Sequence, residues 1–172
     1  PTAVGLCAAG LPAAFAGFAL TVGWEDSFDR PDCPVSGAWV AGDADGWAVQ
    51  HRQLVFSGPG EGRMQRGPAL GDYELVVNAR LTGEGGRYGI APALAADGAG
   101  PLLTVERSGA GWAVRWQAAG ATQHFPLPSG FDASDYHQFR FRKENGRLLI
   151  SLEQAELGVV SVMPGPTAVG LY

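Results

Sequence analysis

An all-β protein, built as a two-sheet antiparallel β-sandwich, is the fold this sequence predicts, and three observations predict it. Apolar residues recur at every second position in several segments, the period at which one face of a strand meets a core. Glycine and proline, 26 and 12 of the 172 residues, fall between those segments as punctuation. No window of ten or more residues joins a helical period to a capping signal. With 46% hydrophobic and 17% charged residues the chain is too apolar for disorder, and its length suits one buried core, so residues 1–172 read as a single domain.

Along the chain, the first strand candidate is Phe15 to Val22. The alanines of Ala8 to Leu20 also suit a helix, but Pro12 and Gly17 argue against one. Trp47 to Phe56 follows as one strand. Asp72 to Leu81 is the clearest, because Tyr73, Leu75, Val77, Ala79 and Leu81 alternate with Glu74, Val76, Asn78 and Arg80. Arg87 to Leu94 and Leu102 to Arg107 come next. Trp112, Val114 and Trp116 then alternate with Ala113, Arg115 and Gln117, and Thr122 to Leu127 follows. Phe139 and Phe141 alternate with Gln138, Arg140 and Arg142, and Asn145-Gly146, whose residues tolerate positive φ, predicts a tight hairpin from Tyr136 to Glu153. Val159 to Met163 and Thr167 to Leu171 complete the set. Ten or more short strands without helices make two packed antiparallel sheets.

Net charge is −5, and the basic residues are almost all arginines scattered singly. Neither nucleic acid nor an anionic membrane surface is an expected partner. The most apolar stretch, Leu11 to Val22, is too short to span a bilayer and lacks the basic start of a signal peptide, so any targeting segment is expected outside this sequence. Cys7 and Cys33 are the two cysteines and match no zinc or redox spacing. They read either as free buried thiols or as a disulfide tying the N-terminal segment to the loop after Arg30. The disulfide, favoured here, implies an oxidising compartment.

The hexapeptide PTAVGL occurs twice, at Pro1 to Leu6 and at Pro166 to Leu171. Between the copies run WEDSFDRP, GAWVAGDADGWAVQHRQLVF, DYELVVNARL, RYGIAPAL and YHQFRFRKENGRLLISLE, ahead of the closing PTAVGLY. This order of features, from Trp24 to Tyr172, resembles the concanavalin A-like (laminin G-like) jelly-roll accessory modules of bacterial glycoside hydrolases. In such modules Gly-Leu-Tyr is usually followed by a short loop and one last strand that closes the sandwich beside the first. By that resemblance residues 1–23 look like the tail of one copy and residues 24–172 like the next copy without its tail, as in a tandem array or a permuted cut of one. Ala13 to Val22 is then expected in the closing-strand place, where it covers an otherwise open sheet edge. It fills that place within its own chain, which effective concentration favours, or in a neighbouring chain by strand exchange.

No catalytic signature accompanies the fold. The Glu-x-Asp-x-x-Glu run of jelly-roll glycosidases is absent, as is any Gly-x-Ser-x-Gly elbow near His51, His124 or His137. Gly58-Pro59-Gly60-Glu61-Gly62 lacks the lysine of a phosphate loop and reads as a flexible loop. Asp43-x-Asp45-Gly46 has the spacing of part of a calcium loop, so Asp43 and Asp45 are candidate ligands of a structural calcium, with a solvated turn as the alternative. Asp26 and Asp29 are a second such pair.

What remains is binding. A sugar is held by an aromatic face against the apolar side of its ring and by planar polar groups at its hydroxyls, and Trp39, Trp47, Tyr88, Trp112 and Trp116 lie near such groups. Trp112 and Trp116 alternate as core residues do. Trp47, beside the Asp43 to Gly46 loop, therefore leads, with His51, Arg52, Tyr88, Arg87 and Arg115 as the other candidate ligand residues. Arg87, Arg115, Arg140 and Arg142 lie opposite apolar positions, and neighbouring strands would gather them over a glycan. The expected function is a non-catalytic carbohydrate-binding module of a secreted or cell-surface carbohydrate-active enzyme. The alternative is a spacer or strand-exchanging assembly module in a tandem array, packed against neighbouring domains, and a glycoside hydrolase in its own right is the least favoured reading.

Overall fold

The computed structural model describes every residue except 1–5, 10–12, 21–23, 35–38, 42–45, 59–60, 67–69, 84–85, 95–99, 110, 119, 167 and 172. Among the described residues there is no helix, and the strands form two antiparallel sheets packed as a sandwich. The first sheet contains β1 (Leu6–Ala9), β5 (Trp39–Ala41), β8 (Glu61–Arg66), β10 (Arg87–Leu94), β11 (Leu102–Ser108), β12 (Gly111–Ala118), β13 (Ala121–Pro126) and β17 (Ala168–Leu171). The second contains β2 (Ala13–Leu20), β3 (Trp24–Asp26), β4 (Cys33–Pro34), β6 (Trp47–Gln50), β7 (Gln53–Phe56), β9 (Tyr73–Leu81), β14 (His137–Glu144), β15 (Arg147–Leu152) and β16 (Ala155–Ser161).

In the second sheet the order runs β16-β15-β14-β9-β2-β7-β6-β4, with β3 beside β2. The strand expected to close the sandwich thus pairs within its own chain: β2 lies against β9 on one edge and against β7 and β3 on the other. In the first sheet β5 pairs with β8, and β10, β11, β12 and β13 follow one another. Between β8 and β10 lie both β17 and β1.

The predicted alternation sets the core. Tyr73, Leu75, Val77, Ala79 and Leu81 point inward from β9, Phe139 and Phe141 from β14, and Tyr88, Val105, Val114 and Trp116 from the facing sheet. Edge-to-face contact between Tyr88 and Phe139, at 6.0 Å, joins the two layers. The interior void there is only about 20 Å³, so the layers interdigitate closely. Asn145 and Gly146 both adopt positive φ, and the hairpin between β14 and β15 turns where the dipeptide predicts.

Two departures from regular strands serve the packing. Pro92 sits in β10 where the register with β17 shifts, as a residue without an N–H requires. Its carbonyl accepts a 2.6 Å hydrogen bond from the buried Tyr73 hydroxyl of the opposite sheet, and burial pushes that hydroxyl's pKa well up. At Gly158 of β16 a Cβ would overlap the Phe125 ring of β13. Glycine is what lets the last strand of one sheet approach the other.

The structure also corrects several boundaries. Trp47 to Phe56 is two strands, reversed by a two-residue turn at His51 and Arg52 with φ of 51° and 62°. Left-handed backbone at both turn positions is the type I′ pattern, usually built from asparagine and glycine, so His51-Arg52 carries no turn signal in its own residue types. Glu61 and Gly62 open β8 rather than ending a flexible loop, and the strand expected at Val159 to Met163 is Ala155–Ser161.

Replacing Tyr73 with Phe removes the inter-sheet hydrogen bond to Pro92 and leaves a buried carbonyl short of a partner. We expect a loss of about 1–3 kcal/mol in urea unfolding. Gly158→Val forces the Phe125 ring aside, and overpacking of this kind costs roughly 1–3 kcal/mol. An unchanged thermal midpoint for Gly158→Val would show that the two strands are not in such close contact.

Candidate functional site

At one end of the sandwich the ends of β9, β11 and β12 and the 131–135 loop enclose a groove of about 1060 Å³. Its walls carry Arg80, Arg107, Trp112, Asp132, Ser134 and Asp135. Each is placed by local structure. Arg80 is an outward position of the alternating strand β9. Arg107 and Trp112 are cross-strand partners at the closed end of the β11–β12 hairpin, and the guanidinium lies 5.0 Å from the indole ring. Such a contact at an exposed position is worth about 0.5–1 kcal/mol, so a flat ligand ring could displace it.

The loop after β13 is fixed by its own polar groups. Asp132 Oδ1 accepts hydrogen bonds from the Ser134 backbone N–H at 2.9 Å and from its hydroxyl at 2.8 Å, the turn that an Asp-x-Ser sequence favours. Leu81 N–H donates to the Ala133 carbonyl at 2.7 Å, which ties the loop to β9. Phe131 stacks on His137 at 4.1 Å and meets Trp112 edge-on at 6.2 Å. The half-buried indole is thereby held from behind while part of it remains at the groove. The Arg80 guanidinium lies 4.8 Å from the Tyr136 ring, and partial burial raises the pKa of that hydroxyl.

The bonds from Ser134 hold the Asp132 carboxyl below its usual range, and the charges of His137 and Arg107 act in the same direction. A carboxylate of that kind is an acceptor at neutral pH. General acid catalysis needs the opposite, a carboxyl held protonated by its surroundings. The groove therefore combines an aromatic surface, two guanidinium groups and fixed acceptors, which is chemistry for hydrogen-bonding a hydroxylated ligand.

The residues expected from sequence fall elsewhere. Trp47, at 6% exposure, packs against Phe56 with ring centroids 5.1 Å apart, and Tyr88, at 2%, belongs to the core. Neither offers a ring face to solvent, and both are corrected from ligand contacts to core residues. Their inward phase on β6 and β10 decides this. His51 and Arg52 form the exposed β6–β7 turn, docked on the preceding loop. The His51 N–H donates to Asp32 at 2.8 Å and the Arg52 guanidinium pairs with Asp29 at 3.2 Å.

Arg87 and Arg115 do come together, as neighbouring strands β10, β11 and β12 allow. Glu106 lies between them, 3.8 Å from Arg87 and 3.2 Å from Arg115, and Arg115 also bonds Gln117. This is a satisfied ladder on the face opposite the core. Arg140 and Arg142 are likewise paired, with Glu74 at 2.6 Å and Glu144 at 3.0 Å.

Asp43 and Asp45 lie outside the described residues. Asp26 binds Arg30 at 2.8 Å and the Phe28 N–H at 2.9 Å, so with Asp29 it serves the loop's own structure. Among the described residues no cluster of three or more metal-ligating side chains occurs. Cys33 is a free thiol, so the expected disulfide to Cys7 is not formed. The two strands belong to different sheets, β1 beside β8 and β10, and β4 at the edge beside β6.

Arg80, Arg107, Asp132 and Asp135 are distant in sequence and individually ordinary, so no pattern joins them, and Trp112, named among the aromatic candidates, reads as core by its alternation. The available signals were the polar phase of Arg80 and the Asp-x-Ser turn in FDASDY. Comparison with protein-family models, with curated proteins and with solved structures finds no match to this chain.

Asp132→Asn should test the loop. A carboxyl whose folded pKa is depressed adds stability above its unfolded value, near 3.9, and loses it as pH falls through the folded value. The variant should therefore melt below the parent at pH 7, with the gap closing towards pH 2. A gap independent of pH would mean that the charge of Asp132 contributes nothing.

Proposed function

We propose that this chain is a non-catalytic carbohydrate-binding module, of the concanavalin A-like jelly-roll kind attached to secreted carbohydrate-active enzymes, and that glycan binds in the groove beside Trp112. The observation that carries this reading is the convergence of a half-buried tryptophan with Arg80, Arg107, Asp132 and Asp135 at one concave end of a β-sandwich. A pyranose ring presents apolar C–H groups on one face and hydroxyls at its rim. The indole offers surface to the first, and guanidinium and carboxylate groups offer donors and acceptors to the second.

Asp132, held ionised by its bonds from Ser134, offers an acceptor to a sugar hydroxyl. A second reading, an assembly module, is favoured by the two chain segments that share one place between β8 and β10.

The test is a calorimetric screen of the chain against neutral and acidic oligosaccharides, repeated with Trp112→Ala and Arg107→Ala. We expect a saturable signal that weakens about tenfold or more in Trp112→Ala, a loss of roughly 1.4 kcal/mol or more, with the β circular dichroism retained. Equal binding by the parent and both variants would place the glycan elsewhere, and a folded parent that binds nothing would end the proposal.

A further inference from the structure

The sheet has one place for a segment that the chain carries twice. Going along β8, Gln65 pairs with Gly170, Met64 with Leu171, Arg63 with Cys7, Gly62 with Ala8 and Glu61 with Ala9. Along β10, Ala91 pairs with Gly170, Gly89 with Cys7, and Ile90 with both Leu171 and Leu6. The end of β17 and the start of β1 therefore make one interrupted strand, in which Cys7 follows Leu171 in register. In the sequence Cys7 follows Leu6, the last residue of an identical hexapeptide.

Ala3–Leu6 and Ala168–Leu171 have the same sequence, and β1 fixes the register from Leu6 onward, so a strand continued back from Leu6 would present the same residues to β8 and β10. Residues 1–5 lie outside the described residues. We propose that the place between β8 and β10 is an exchange site for a PTAVGL strand, which Pro1 to Leu6 of the same chain enters in competition with Pro166 to Leu171. The N-terminal copy is the committed competitor because it directly precedes residues already paired there. Its effective concentration is that of strand extension rather than of a second molecule. When it docks, β1 becomes one unbroken strand and the C-terminal segment leaves the sheet.

Proline tests the exchange, because a strand paired on both edges loses a ladder bond whichever way its N–H points. Four full-length chains are compared: the parent, Gly5→Pro, Gly170→Pro and the double variant. We expect both single variants to stay monomeric and to melt within a few degrees of the parent, and the double variant to melt roughly 10 °C lower, more than the sum of the two. Hydrogen exchange on Gly170→Pro should show new protection at residues 3–5.

A Gly170→Pro chain that melts as low as the double variant, without such protection, would overturn the proposal. So would a Gly170→Pro chain that keeps its midpoint but doubles its mass in light scattering, since the occupant would then come from a second copy. If the double variant does not fold, the exchange protection in Gly170→Pro alone decides between these outcomes.

Discussion

The second sheet is continuous because Ala13–Leu20 lies in the middle of it. Its pairing with β9 on one edge and with β7 and β3 on the other joins a four-strand block, β16 to β9, to the β7-β6-β4 group. Without that strand both groups would end on unpaired edges facing each other, an arrangement that invites pairing with other chains. One of the earliest segments of the chain thus depends on contacts with β9 and with β7, far along the sequence. Such non-local pairing is slow to form. Against β9 the register shifts between Phe15 and Phe18, while on its other edge β2 pairs with β7 at its start and with β3 at its end.

The core follows from this closure. The two sheets meet through inward residues of alternating strands, and the links between them are local: Tyr73 to Pro92, Tyr88 to Phe139, and Phe125 on Gly158. Charged residues on the opposite faces are arranged in cross-strand pairs, such as Arg140 with Glu74 and Arg115 with Glu106. Exposed pairs of this kind add little stability. They do set which strands fit beside each other, because like charges directly opposite would disfavour the register. On those faces Arg115, Arg140 and Arg142 are matched by carboxylates, whereas the end groove brings together guanidinium groups, carboxylates and an indole.

The place of the groove has a physical basis. Along the faces of a sandwich, strand spacing and pleat fix what each side chain can reach. At the ends, connecting loops are free of that constraint, and polar groups from distant segments can converge. Arg80, Arg107 and Asp132 come from three separate elements, and Trp112, the first indole of its strand after the β11–β12 turn, is half-buried at that end.

The sequence by itself determined the fold class, the inward phase of β9 and β14 and the Asn145-Gly146 reversal, because these depend on local periodicity and turn chemistry. It also carried the repeat, though not its meaning. Alternation states which residues share a face but not whether that face lies inside the sandwich, which is why Trp47 and Tyr88 read as ligand contacts and Trp112 as core. Only the tertiary structure decided those assignments. It also decided the left-handed turn at His51 and Arg52, the pairing of Arg87 and Arg115 through Glu106, and the sharing of one strand place by both ends of the chain. Each of these depends on which strands become neighbours, a choice made by the packing of the whole core and written in no single stretch of residues.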